Sequence, residues 1–387
     1  MPYCWIAQGK LFIRSDAGEV REHESEFGRE AVQRAEEQKR HHGWKAKPGA
    51  QEGLFSRGMI WGGQAQGQDG APTAPPRFLT AIVGKDPDEM FYVLGMSRSC
   101  GLFRYQLSSN TEYRLFHRPE FIQHGLAYDA HQPGLVVSLA GEDGSAALWE
   151  LSAEGKPVRK LTDGDVIDSA PSVSRKQPSA ILYESTGIGR NHQGQVAGFA
   201  ATALMVLDRA DGAMRTVKED PLRDYLQPSQ DAGGTIYSIR RPHRDGSQVS
   251  PWVLAKDFAL FPFRLGYACF GFLNTFSLMF GKKPLRTAGA PRPFEARRVL
   301  IKGHWLDTEQ AASRPVEQRS LVPASWELVA IAGDGQERVL ARKVAAYWVN
   351  ADGSIVTTDG FTIHHLVDGR QDVIGRADLI EQVISST

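Results

Sequence analysis

The sequence predicts an all-β chain, a six-bladed β-propeller, and three observations carry that prediction. Short alternating apolar stretches are punctuated by turn residues through most of the length. They recur with a period of roughly 45 residues, the span of a four-stranded blade. The first and last strand groups also share a pattern that lets one complete the other.

The first group, residues 3–7, 10–14 and 19–23, reads as a meander turning at Gln8-Gly9 and Asp16-Ala17-Gly18. Phe27 to His42 has one glycine, Gly28, no proline, and a weak apolar stripe of Phe27, Ala31, Val32 and Ala35. With Ser25 as its cap it is expected as a surface helix. Residues 47–77, rich in Gly, Pro, Gln and Ala, read as a long loop, so 25–77 form one excursion from the blades.

From Phe78 the repeat is visible as apolar runs. Phe91–Leu94, Leu102–Leu107 and Tyr113–Phe116 belong to one unit, and Leu135–Ser138, Ala147–Leu151 and Val158–Leu161 to the next. Ile181–Ser185, Ala203–Asp208 and Met214–Val217 make a third, with a long loop inside it. Helices of ten or more residues do not fit between such turns, which argues against an α/β fold. At the end of the chain, Asp359-Gly360-Phe361-Thr362-Ile363 parallels Gln8-Gly9-Lys10-Leu11-Phe12. Joining the first and last strands in one blade hides two edges. The propeller is thus expected over 1–24 and 78–387, with six blades if 223–342 is one blade plus an insertion and seven if it is two.

Composition narrows the function. Glycine (39) well above proline (21) favours turns, and 41% hydrophobic residues suffice for a sizeable core. Lys+Arg and Asp+Glu balance at 45 each, so no nucleic-acid partner is expected. Cys4, Cys100 and Cys269 are too few and too scattered for a disulfide framework or a zinc module. Met1 to Asp16 lacks the pattern of a secretory signal, so a cytoplasmic location is expected.

Two units share a finer likeness: Asp168-Ser169-Ala170-Pro171-Ser172 precedes Ile181, and Asp224-Tyr225-Leu226-Gln227-Pro228-Ser229 precedes Thr235. The Asp-x-x-Pro-Ser opening at Asp168, with the Asp352-Gly353 turn before a strand, resembles the TolB-type and WD40-like propellers over about 78–240 and 325–384. The WD dipeptide is absent, and the third-strand aromatic occurs once, as Trp149. The chain also resembles the propeller subunits encoded beside bacterial MoxR-type AAA+ ATPases and von Willebrand A proteins. That second resemblance implies partnership with such proteins.

The insertion, residues 256–302, holds the candidate binding residues. Phe258 to Phe280 carries one charge, Arg264. Pro262 and Arg264 leave only Leu265–Phe280 uninterrupted, shorter than the ~20 residues of a membrane span. An apolar helix is expected there, followed by a basic run through Lys302. Phe261, Leu265, Cys269, Phe272, Phe276 and Phe280, with Lys282, Lys283 and Arg286, are the expected partner-binding residues. Packing on the propeller itself and contact with an anionic membrane surface are the alternatives.

Motifs for catalysis are weak. Gly187 to Gly194 is glycine-rich but lacks the Gly-Lys-Ser/Thr of a phosphate loop and is followed by a strand, so a hairpin loop is expected. His364 and His365 are strand neighbours pointing to opposite faces, unsuited to one metal. His41-His42 are adjacent too, and His124, Asp129 and His131 read as strand and turn residues. Asp163, Asp165, Asp168, Asp220 and Asp224 are expected to cap turns rather than ring a channel. No catalytic residue, cofactor or metal is assigned. A non-enzymatic interaction scaffold is expected, with a hydrolase or lyase acting in the channel, or a peripheral membrane adaptor, as alternatives.

Overall fold

The structure, a computed structural model, describes residues 3–15, 17–42, 75–96, 99–118, 122–243, 298–301, 304–307, 318–367 and 369–385, with Ala311 and Pro315. The chain opens with β1 (Tyr3–Ala7), β2 (Lys10–Arg14) and β3 (Val20–His23), followed by α1 (Glu26–His42). Gln8 and Gly9 join β1 to β2 at φ 54° and 72°, the left-handed pair whose twist matches a hairpin. Ser25 caps α1, accepting the Gly28 N–H at 3.1 Å.

Five groups come next, each antiparallel within itself; the second and third are joined into one nine-stranded sheet by a parallel pairing of Ala146 with Ile167. The first is β4 (Arg77–Val83), β5 (Glu89–Met96), β6 (Ser99–Gln106) and β7 (Thr111–Arg118); the second is β8 (Ile122–Asp129), β9 (Gly134–Ala140), β10 (Ala146–Ser152) and β11 (Pro157–Lys160). In the third, β12 (Val166–Val173) and β13 (Ala180–Arg190) are followed by a short β14 (Val196–Phe199), then β15 (Ala203–Asp208) and β16 (Met214–Lys218). The fourth group begins with β17 (Arg223–Gln230) and β18 (Ile236–Pro242). After the separate hairpin of β19 (Arg298–Ile301) and β20 (His304–Asp307), it resumes with β21 (Glu327–Ile331) and β22 (Glu337–Arg342). The fifth is β23 (Ala346–Val349), β24 (Ile355–Thr358), β25 (Thr362–Val367) and β26 (Arg370–Arg376). The last strand, β27 (Ile380–Ser385), pairs with β1, Cys4 opposite Ile384, making a sixth group of β27, β1, β2 and β3.

These groups pack face to face, and strand composition shows why. β5 (EMFYVLGM) is apolar at successive positions because both of its faces are buried. Met90, Tyr92 and Leu94 pack against Ile6, Leu11 and Ile384 of the sixth group, while Phe91 and Val93 pack against Leu135 and Val137 of the second. Similar clusters join groups two and three, three and four, four and five, and five and six. The inner strands follow the same cycle: β4 touches β8, then β12, β17, β23 and β27 follow in turn, and β27 touches β4. Outer strands such as β11 are exposed along their length.

Each inner strand starts at one end of this ring, here the leading end, and finishes at the other. In an antiparallel group the connection from second to third strand therefore also lies at the leading end. The chain re-enters there at Arg77, whose neighbour Phe78 donates its N–H to Gly9 O at 2.8 Å. It leaves the described residues there at His243, whose N–H meets Leu222 O at 2.8 Å. Ala311, Leu321, Phe361 and Leu379 form a small apolar cluster at the same end. At the opposite end the turns are short, and Arg175 spans them. Its guanidinium donates to the carbonyls of Val349 and Asn350, both at 3.0 Å, tying group three to group five.

Candidate functional site

A Pro-Ser pair, Pro171-Ser172 and Pro228-Ser229, marks the inner strands of groups three and four alike, with Asp168 three residues before its proline and Asp224 four. The ladder shifts between Ser169 and Ser172 and between Leu226 and Ser229, with Ala170 and Gln227 in the left-handed region at φ 46° and 52°. A residue before proline is barred from the right-handed helical region, and the bulge turns that restriction into a bend. Group two bends at Gly125 (φ 123°), where a Cβ would lie 2.6 Å from the Ala170 Cα, so only glycine lets the two inner strands meet.

Asp168 and Asp224 are strand residues, which corrects the turn-capping expectation for both. Asp168 and Asp224 are 3% exposed. Asp168 accepts the Ser185 hydroxyl at 2.7 Å, and burial raises its pKa above the ordinary aspartate range. Asp224 sits at the root of the insertion and accepts three donors: Thr202 N at 3.1 Å, Arg241 Nε at 3.0 Å and His243 Nδ1 at 2.7 Å. The Arg241 guanidinium lies over the Trp326 ring, 4.7 Å from its centroid, so residues on either side of the insertion are clamped together.

Of the other three acids, Asp163 and Asp220 cap turns as expected and Asp165 does not. Asp163 accepts the Gly164 N–H at 3.0 Å, Asp220 the Leu222 N–H at 2.9 Å, and Asp165 pairs with Arg190 at 2.8 Å. A second buried polar knot lies between groups three, four and five. Glu184 accepts the Ser169 hydroxyl at 3.1 Å and the Gln227 N–H, while the Tyr347 hydroxyl donates to Tyr237 O at 2.7 Å and lies near Ser229 Oγ at 3.3 Å. These groups satisfy one another and fix the inner strands.

The expected partner-binding residues, Phe261, Leu265, Cys269, Phe272, Phe276, Phe280, Lys282, Lys283 and Arg286, lie outside the described residues. The glycine-rich stretch Gly187 to Gly194 differs from its expectation: Gly187–Arg190 continue β13, and β14 pairs back on them, Gly189 opposite Gly198. It is a two-stranded ribbon rather than a loop. Asp129 serves its own turn, accepting the His131 and Gln132 N–H groups, and pairs with the buried Arg209 at 2.6 Å. His364 and His365 lie in β25. Among the described residues no group of three His, Cys, Asp or Glu gathers as a metal set, and no helix is long and apolar enough to cross a membrane. Missed in the sequence were Arg241, His243 and Trp326; of that cluster only Asp224 was a candidate.

No protein-family model matches the chain, and no curated protein sequence matches it. Among solved structures it is similar to a chain of a nidogen/laminin complex, at 8% identity and a TM-score of 0.50, over 99% of this chain and 97% of that one. It is also similar to TolB from Acinetobacter baumannii (9% identity, TM-score 0.49) over 99% of this chain, and spans 65% of that TolB's length. A putative TolB from Agrobacterium tumefaciens is 10% identical, with a TM-score of 0.43 over 79% of this chain and 83% of that one. These neighbours are TolB-like and WD40-like β-propellers, and the chain shares their mostly-β architecture. At such identities the likeness is one of fold.

Proposed function

We propose that the protein is a non-enzymatic, cytoplasmic interaction scaffold: a six-bladed β-propeller that presents its partner-binding residues at the leading end. Six blades are supported by the cyclic contacts of the inner strands and by the apolar cluster between every neighbouring pair of groups. The hairpin of β19 and β20, paired only with itself among the described residues, argues against a seventh.

One observation carries the functional reading. Two long connections join the body at the leading end, at Arg77 and His243, and the second is rooted in the buried Asp224–Arg241 pair. A rigid frame that carries long connections at one end suits binding better than chemistry. The apolar positions Phe261, Leu265, Cys269, Phe272, Phe276 and Phe280, followed by Lys282, Lys283 and Arg286, are the proposed contact residues. Given the resemblance to MoxR-associated propellers, an AAA+ ATPase and a von Willebrand A protein are the first partners to test.

The test is site-specific photo-crosslinking. Leu222, 75% exposed, marks the leading end, and Val158, 66% exposed, marks an outer edge. A crosslinker at position 222 is expected to capture a defined partner in the native host while one at 158 does not. Capture from 158 alone, or equally from both, would overturn the assignment.

A further inference from the structure

Arg14 ends β2 with a charge that no acid meets among the described residues. Its Nη1 donates to the Tyr3 hydroxyl at 2.8 Å and to Ile374 O at 3.0 Å, and its guanidinium carbon lies 5.2 Å from the Tyr3 ring centroid. Both hydrogens of Nη1 are thereby spent on neutral acceptors. Nε and Nη2, the two donors that lie side by side, have no acceptor among the described residues. By contrast, Arg190, Arg209, Arg240 and Arg241 each pair with a carboxylate. A Cβ on Gly18 would lie 3.6 Å from Arg14 Nη2 and 3.9 Å from Nε, so its absence leaves that edge of the guanidinium clear.

Arg14 and Ser15 line a cavity of about 220 Å³ between the fifth and sixth groups. It lies at the end opposite the leading one, where β27 finishes at Ser385 and β1 begins at Tyr3. Val356, Ile374 and the Tyr3 ring give it an apolar wall, and His365 gives it a polar one. His365 Nε2 is buried and has no hydrogen-bond partner among the described residues, a costly state for a polar atom. Two acids on neighbouring strands answer neither group. Asp352 is taken up by the Ser354 N–H at 2.8 Å and hydroxyl at 2.7 Å, and Asp372, opposite His365 in the β25–β26 ladder, is exposed. Arg175 also rests on carbonyls, but it does not line this cavity.

We infer that this cavity binds a short-chain carboxylate. The Nε–Nη2 edge of Arg14 is the fork that matches the two oxygens of a carboxylate, and Tyr3 and Ile374 already hold the guanidinium in place. His365 Nε2, in the tautomer that carries its proton there, supplies a further donor. Val356, Ile374 and the Tyr3 ring cover the alkyl chain. Pockets for drug-sized ligands span roughly 300–1,000 Å³, so this smaller cavity suits a chain of a few carbons. A phosphate would meet the same fork but gain nothing from the apolar wall. The inference is independent of the scaffold reading, because it needs neither the insertion nor the leading end.

Calorimetric titration of the full chain with butyrate tests it, with butyramide as the uncharged isostere and inorganic phosphate as the competing anion. Butyrate is expected to bind saturably with a Kd on the order of 1 mM, and butyramide about tenfold or more weaker. Arg14→Gln removes the fork and should weaken butyrate binding about tenfold or more. His365→Phe removes the second donor and should weaken it about threefold or more. Arg215→Gln, on the exposed β16, leaves the affinity unchanged. Thermal melting checks that each variant is folded. If Arg14→Gln melts early, His365→Phe and the butyrate–butyramide comparison on the unaltered chain decide. Absence of saturable butyrate binding overturns the proposal, as does butyramide or phosphate that binds as tightly as butyrate. So does a butyrate affinity that both variants preserve.

Discussion

Replacing Asp168 and Asp224 with asparagine separates two electrostatic situations near the start of two similar inner strands. Asp224 holds Arg241 in a pair whose side chains are 4% and 6% exposed. Asp224→Asn keeps an acceptor for the Thr202 N–H but leaves the guanidinium facing a neutral amide. Breaking a buried pair from one side costs about 3–5 kcal/mol. With an unfolding entropy of roughly 2 cal/mol/K per residue over the 387 residues, that lowers the melting temperature by roughly 4–6 °C. Asp168 has no cation paired with it among the described residues, only hydroxyl donors, and burial raises its pKa. The sign follows from that direction. Ionising Asp168 costs the native state nothing below the ordinary aspartate pKa, and the cost grows as pH rises through the elevated value. Asp168→Asn never ionises, so it should gain on the unaltered protein as pH rises toward neutrality. Thermal melting of both variants at acid and neutral pH is the assay. Equal losses for the two at neutral pH would refute the reasoning.

Other expectations concern the attachment of α1. His23, buried against Tyr92, Tyr105 and Phe78, has its pKa lowered from 6.5 to about 4, first by burial and then by Arg21. The stability conferred by the neutral ring is present above 6.5 and is lost as pH falls toward 4, about 3 kcal/mol in all at ~1.4 kcal/mol per unit. Urea titrations across that window should show the slope, and His23→Phe should flatten it. Glu112 accepts the Glu26 N–H at 3.2 Å, the Ser25 hydroxyl at 3.0 Å and the Tyr92 hydroxyl at 2.6 Å, anchoring the start of α1 to β7. Glu112→Ala should cost about 1–2 kcal/mol, the scale of a lost cap, and speed tryptic cleavage at Arg29 and Arg34.

Much of the architecture was legible because its causes are local. Alternation between turn residues marked strands such as Tyr3–Ala7 and Phe91–Leu94, and Ser25 with the proline-free stretch after it marked α1. The strand openings at Asp168 and Asp224 were visible too, but the role of their acids was not. Whether an aspartate caps a turn or lies under a neighbouring sheet depends on residues brought in from elsewhere, as Arg241 and Trp326 are for Asp224. The β13–β14 ribbon was read as a loop because Gly187, Gly189 and Gly198 supply no alternating apolar face. Its pairing is held by backbone hydrogen bonds and by Arg190 at the base, neither of which leaves a hydropathy pattern.

The most direct test of the scaffold assignment is the pair Phe272→Asp and Phe276→Asp, made together in the full chain. The two positions are spaced i,i+4, so in the expected helix both charges enter one contact. Melting, co-purification from the native host and flotation with anionic vesicles are measured on the same protein. The scaffold account predicts unchanged melting, loss of a defined co-purifying partner, and no vesicle binding to lose. A mutant that melts early, or one that stays folded and keeps every partner, would contradict it.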